Sequence, residues 1–395
     1  MLFCCLAIFS ACEQEVNKGF DPDDYEPILP PEPVYTLQTY ASGENVTLLD
    51  DGLSNAIFRW IPSEKIGNMV VRYEVLFDSI QGDFSNPVYI ARADNNGVSD
   101  YLTLSHSQLN NIARLAKIKA NSKGILNWKV RVYCGLDEVT SAIVGSFSVL
   151  RLDGFDLIPE TLYITGAATE GGVDLTQAPE FRDLGTADFE IFTKLEAGKD
   201  FYFVSSRKVD SITNYYYNGK KLVENDGVVT VSKNGVYRIK INYEAATYNI
   251  EEVTSVYGYY NVSGVHYPLN YVSNGLWKTD VFYPRLTGVS WAGSGEKRYQ
   301  MRMQLSGATG SSTIIWGHKD SDRQVVPNES TDPSYFNMYT SPSSDDWAYS
   351  FRLPSQLNFP STTDGQTVMS PVPSVIEAYF NSTYDQYRHV WKYNQ

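Results

Sequence analysis

The sequence predicts an all-β protein, in which an N-terminal Ig-like or fibronectin-like β-sandwich is followed by two further β-sandwiches. Three observations predict it. Apolar and polar residues alternate in short runs, as in Ala56-Ile57-Phe58-Arg59-Trp60 and Trp128-Lys129-Val130-Arg131-Val132-Tyr133, which is the period of a half-buried strand. The 395 residues include 29 Tyr, 18 Phe and 7 Trp, types that suit a pleated surface. One segment switches to helical spacing, with Leu109, Ile112, Ala113, Leu115 and Ala116 on one face and Ser105 or Ser107 placed to cap its start.

The first elements are signals rather than structure. Leu2-Phe3-Cys4-Cys5-Leu6-Ala7-Ile8-Phe9 is an apolar run too short to span a bilayer and of the size of a signal-peptide core. Ser10 and Ala11 then precede Cys12, as in a bacterial lipobox, where small side chains fit the peptidase cleft and the thiol is acylated. Residues 1–12 are the expected lipoprotein signal and Cys12 the lipidation site; the basic opening of such a signal is missing, so the start codon is expected upstream. A short buried N-terminal strand is the alternative. Residues 13–34 disfavour it, because Asp21-Pro22-Asp23-Asp24 and Pro27, Pro30, Pro31 and Pro33 make an acidic, proline-rich tether that stays extended.

Residues 35–152 form the first sandwich. Trp60 and Trp128 sit in mid-strand and are expected in its core, with Cys134 as a small buried apolar residue. Asp94-Asn95-Asn96-Gly97 reads as a hairpin turn; its spacing fails the EF-hand pattern. Residues 158–253 form the second block. It opens with Leu162-Tyr163-Ile164-Thr165-Gly166 and closes with a hairpin of Val236–Tyr243 and Thr247–Ile250, which puts a boundary near Val253. Residues 254–395 form the third, with strands expected at 256–262, 276–283, 298–304, 312–316, 346–352 and 374–380. The final Tyr384, Tyr387, Trp391 and Tyr393 are expected to pack as a strand on the end of this domain.

The net charge of −14 repels phosphate backbones, so no nucleic acid is expected as a partner. No metal or cofactor is expected either. His106, His266, His318 and His389 are scattered, and three of the four Cys fall within the first twelve residues. Gly288-Val289-Ser290-Trp291-Ala292-Gly293 is one residue too long for a nucleophile elbow. Asp345 and Asp346 are adjacent, so in a strand they point to opposite faces and make poor acid–base partners.

The order of parts resembles a known family. A lipobox with Glu13-Gln14-Glu15 behind it leads to a tether and then to Ser107-Gln108-Leu109-Asn110-Asn111-Ile112-Ala113. Leu126-Asn127-Trp128-Lys129-Val130-Arg131-Val132 comes next, followed by Leu162-Tyr163-Ile164-Thr165-Gly166-Ala167-Ala168-Thr169 and Asn234-Gly235-Val236-Tyr237-Arg238-Ile239. Over residues 1–253 this is similar to the SusE/SusF-like outer-membrane lipoproteins of Bacteroidota. The resemblance implies a surface-exposed, lipid-anchored, non-catalytic protein that binds a polysaccharide through carbohydrate-binding-module-like sandwiches. It implies a SusC-like TonB-dependent transporter and a SusD-like lipoprotein as partners. Val173 stands where many such proteins carry a Trp, which weakens the expectation of starch at the second sandwich. A lipoprotein glycoside hydrolase or lyase, and a structural or adhesin lipoprotein, stay open as alternatives.

Pyranose rings offer an apolar C–H face ringed by hydroxyls, so a flat aromatic ring with amide, acid or cationic neighbours is the recognising chemistry. Two clusters qualify. Tyr215, Tyr216 and Tyr217 precede Asn218-Gly219-Lys220-Lys221, and three consecutive strand residues cannot share one face. Trp277, Trp291, Trp316 and Trp347 fall in the last domain. Trp291 and Trp347 have Gly, Ser and Asp neighbours typical of loops.

Overall fold

A computed structural model describes residues 31–34, 36–49, 53–62, 70–185, 187–292, 295–320, 332–341 and 349–393. Cys12, the tether before residue 31, Asp345, Asp346 and Trp347 lie outside the described residues. The described residues are mostly strand, as the all-β reading expects. They divide into two compact units. One runs to Ile118 and adds Lys123–Leu150; the other comprises Lys119–Ser122 and everything from Arg151.

The first unit contains β1 (Glu44–Thr47), β2 (Asn55–Arg59), β3 (Val71–Ser79), β4 (Tyr89–Arg92), β5 (Tyr101–Ser105), a helix (His106–Leu115), β6 (Lys123–Cys134), β7 (Asp137–Thr140) and β8 (Gly145–Leu150). One sheet has the order β1-β8-β6-β3-β4, with β7 on β6, and β2 and β5 pair separately. The period-two pattern of β6 turns Leu126, Trp128, Val130, Val132 and Cys134 inward, all nearly fully buried. Phe58 of β2 meets Phe77, Trp128 and Phe147 at edge-on centroid distances of 5.0, 5.2 and 5.4 Å. The Trp128 indole donates to the Tyr40 carbonyl at 2.8 Å. It also explains a glycine: a Cβ on Gly145 would lie 2.1 Å from Nε1. Trp128→Ala is therefore expected to cost about 3–5 kcal/mol, the range for a buried Trp, read as a lower urea midpoint at unchanged slope.

Ser105 rather than Ser107 caps the helix. Its hydroxyl accepts from Gln108 N at 3.1 Å and Gln108 Oε1 accepts from Ser105 N at 2.9 Å, a reciprocal capping box. Asp94–Gly97 forms a single helical turn in which Asn95 and Asn96 hold φ of 54° and 56°, a conformation asparagine tolerates. It is not the expected hairpin. It joins β4 to β5, which pair with β3 and β2 respectively and belong to different sheets.

The second unit contains β9 (Tyr163–Thr165), β10 (Arg182–Gly185), β11 (Asp188–Leu195), β12 (Tyr202–Val204), β13 (Asn214–Tyr217), β14 (Leu222–Glu224), β15 (Gly235–Asn242), β16 (Thr247–Tyr260), β17 (His266–Ser273), β18 (Leu276–Lys278), β19 (Arg285–Thr287), β20 (Arg298–Gly307), β21 (Gly310–Gly317), β22 (Tyr339–Thr340), β23 (Phe351–Arg352), β24 (Thr367–Met369), β25 (Ser374–Tyr379) and β26 (Arg388–Tyr393). A small sheet has the order β14-β13-β12-β9. A large one runs β10-β11-β15-β16-β17-β18-β25-β26, with β20 also on β16 and β21 on β20.

Two cores lie on opposite faces of this large sheet. Phe189 and Ile191 of β11 pack into one, with Tyr237, Ile239 and Ile241 of β15 and Phe203 of β12. Phe192 of β11 packs into the other, with Trp277, Met301, Met303, Phe380 and Trp391. β16 serves both. Tyr248 and Ile250 face the first core, whereas Val253, Val256 and Tyr260 face the second. Strict alternation would turn Val253 and Val256 to opposite faces. A register shift against β20, between Val253 and Ser255, inserts Thr254 and restores both to one side. The expected boundary near Val253 falls inside this 14-residue strand.

Candidate functional site

Along β20 the odd residues Tyr299, Met301, Met303 and Leu305 enter the second core. Arg298, Gln300, Arg302 and Gln304 therefore share the opposite face, a row of about 20 Å at the strand rise. Register extends the row sideways. Tyr257 lies across from Arg302 and from Pro268, Tyr259 from Gln300 and from His266, and Ser255 from Gln304. The Ser255 hydroxyl donates to Gln304 Oε1 at 3.0 Å, which confirms the shared face.

The aromatic planes on this face are stacked rather than scattered. His266 lies on Tyr257 at 4.4 Å and 11°, and meets Tyr259 edge-on at 5.3 Å. The Arg302 guanidinium covers the Tyr259 ring at 3.6 Å. Gln300, fully buried, orients it by accepting from Nη2 at 2.9 Å; its own Nε2 finds no acceptor among the described residues. Arg302 has no carboxylate partner among the described residues. The surface left to a ligand is thus the His266 ring and the Arg302 fork, with Gln304 and Asn270 as amides beside them.

Trp291 closes one end of the row. It is 59% exposed, with the Arg298 guanidinium 5.4 Å from its ring. Arg298 is fixed by Glu296, whose two oxygens accept from Nε and Nη2 at 2.8 Å each. Beyond Asn270 the face continues into a shallow depression of about 380 Å³ that includes Lys278, Thr279 and Asp280.

The other aromatic candidates are placed differently. Trp277 and Trp316 are 3% and 4% exposed. Trp277 sits against Tyr271 and Phe380, and Trp316 against Phe380 at 4.7 Å, so these rings pack the core and offer no open face. Tyr215 is buried edge-on against Tyr243 at 5.1 Å, and burial pushes its hydroxyl pKa up to about 12. Tyr217 stacks on Tyr248 at 4.7 Å, while Tyr216 is half-buried on the other face of β13. Val173 is exposed and carries no ring. Of the final aromatics, Trp391 and Tyr393 fall in β26, and Tyr384 and Tyr387 precede it.

Sequence reasoning missed Tyr257, Tyr259, His266 and Arg302. The signal was present in Arg298-Tyr299-Gln300-Met301-Arg302-Met303-Gln304, which alternates long polar side chains with core residues. The partners came from other strands, and only register brings them together.

Residues 22–131, which include β1 to β5 and most of β6, match the family model described as SusE outer membrane protein. Among solved structures, SusF from Bacteroides thetaiotaomicron aligns over 90% of this chain and 75% of that one at 10% identity, with a TM-score of 0.24. No curated protein sequence matches the chain.

Proposed function

We propose that this is a non-catalytic, lipid-anchored protein of the outer-membrane surface that holds polysaccharide on the outer face of β16, β17 and β20. Cys12 carries the anchor, and a SusC-like transporter with a SusD-like lipoprotein takes the glycan onward. The single observation that carries the binding reading is the row from Trp291 through Arg298 and Arg302 to Gln304, with His266 stacked on Tyr257 beside it. Flat rings and forked donors alternate along it, the chemistry a run of pyranoses needs. The SusE match over residues 22–131 supports the placement in the outer membrane.

Each stacking contact contributes about 0.5–1.5 kcal/mol, so two platforms and a few hydrogen bonds give a Kd on the order of 0.1–1 mM. Repeats along a polymer raise the effective concentration. The chain is therefore expected to be retarded in a native gel containing its polysaccharide and to bind the matching disaccharide barely. Trp291→Ala and Arg302→Ala should each abolish most of the retardation with little change in thermal midpoint; Trp347→Ala is the companion variant. Unchanged retardation in both Trp291→Ala and Arg302→Ala, or release of new reducing ends from the polymer, would sink this reading.

A further inference from the structure

The second unit holds a cleft of about 340 Å³ away from the outer face, where β10, β11 and β15 meet β21 and β22. Ile314, Trp316 and Met338 give it an apolar lining, and Arg182, Arg238 and Lys240 bring three cations. One of the three is neutralised. Arg238 is paired with Glu190 at 2.7 Å and with Glu251 at 3.1 Å. Glu190 is 4% exposed and also accepts from the Tyr387 hydroxyl, so its oxygens are engaged.

The other two cations have no carboxylate partner among the described residues. Arg182 lies over the Tyr387 ring at 4.6 Å and donates only to backbone carbonyls, those of Asn381 at 2.7 Å, Tyr384 at 3.0 Å and Asp385. Lys240 stands directly across the strand pair from Glu190, yet no carboxylate lies within 4.0 Å of its ammonium among the described residues. Three cations against the two carboxylates of Glu190 and Glu251 leave one positive charge in excess beside an apolar lining, in a chain whose net charge is −14. Desolvating Arg182 and Lys240 with a neutral ligand is costly, whereas a carboxylate satisfies both.

The geometry points to a second ligand site here, for an acidic sugar: a pyranose whose ring rests on the half-buried Ile314, where only the edges of the core residues Trp316 and Met338 reach the cleft, and whose carboxylate meets Arg182 and Lys240. The site is independent of the outer face, because it uses other strands and the opposite side of the large sheet. A polysaccharide carrying uronic acid units would engage both.

The test is a titration of the full chain with glucuronic acid, glucose and acetate, followed by saturation-transfer NMR. Glucuronic acid is expected to bind at least about tenfold more tightly than glucose, as one charge-assisted contact provides, and to weaken as salt is raised. Acetate, which lacks the ring, should bind at least as weakly as glucose. Lys240→Gln should lower glucuronic acid affinity about tenfold without moving the thermal midpoint, and Arg182→Gln should lower it as much at a reduced midpoint, because its bonds to the Asn381, Tyr384 and Asp385 carbonyls are lost. Lys240→Gln decides the matter if Arg182→Gln fails to fold, since the lysine makes no bond the fold needs. The fall in Lys240→Gln separates this site from the outer face, which Lys240 does not line. Equal binding of glucose and glucuronic acid, acetate binding as tightly as the sugar acid, no binding at all, or full affinity in Lys240→Gln would each overturn the proposal.

Discussion

A chain ended at Val253 is expected to keep its first unit folded and to lose ordered structure from Arg151 onward. The cut falls in the middle of β16, removing the half that pairs with β17 and β20. It also strips one face of β11 and β15. Phe192, fully buried against Trp277, Phe380 and Tyr387, would meet water, and Glu190 would lose the Tyr387 hydroxyl. Exposing Phe192 alone forgoes roughly 1.5–3 kcal/mol, and a buried carboxylate deprived of a partner adds about as much again. Limited proteolysis reads the outcome. Fragments ending near Leu150 should resist while residues 151–253 are degraded. A protease-resistant fragment extending to Val253 would show that the first core of this unit stands alone.

Acid is expected to destabilise the second unit well before its surface carboxylates are titrated out. His389 is fully buried, its Nε2 2.6 Å from the Tyr299 hydroxyl, which in turn accepts from the Trp391 indole at 2.8 Å. Burial, reinforced by the nearby Arg388, pushes its pKa from 6.5 down to about 3, against a backbone contact at Phe336 that opposes the shift. The unfolded chain therefore binds more protons than the folded one between these values. Stability is full above pH 6.5 and falls as pH drops toward 3, by on the order of 3 kcal/mol at pH 4. His389→Gln should be less stable at neutral pH but show a flatter loss between pH 6.5 and 4. The same slope in variant and parent would mean that His389 does not set it.

What the sequence made legible follows from where each signal lives. Trp60, Trp128 and Cys134 announced themselves as core because alternation within one strand suffices to place them. The capping box was half visible, since Ser105 and Ser107 were both plausible until Gln108 chose between them. The boundary near Val253 was placed at the end of the closing hairpin, whose second strand runs on past that point, through the extra Thr254, to Tyr260. A bulge and a domain end look alike in a one-dimensional pattern. Trp277 and Trp316 were singled out as aromatics beside polar residues, but the second core of this unit is itself aromatic and absorbs them. The outer face was the least legible, because Tyr257, His266 and Arg302 are brought together by pairing between strands.

The way β16 is held also bears on how this part of the molecule carries load. Its first half is bonded to β15, and from Val256 onward its second half is bonded to β17 along one edge and to β20 along the other. A polymer gripped on the outer face and pulled along the strands would load these rows of backbone hydrogen bonds in shear, many at once, instead of peeling them one by one. Because the same sheet closes both cores, the tension would spread over both. A scaffold wired in this way yields late under force, and its resistance is set by the rate of unfolding rather than by its equilibrium stability.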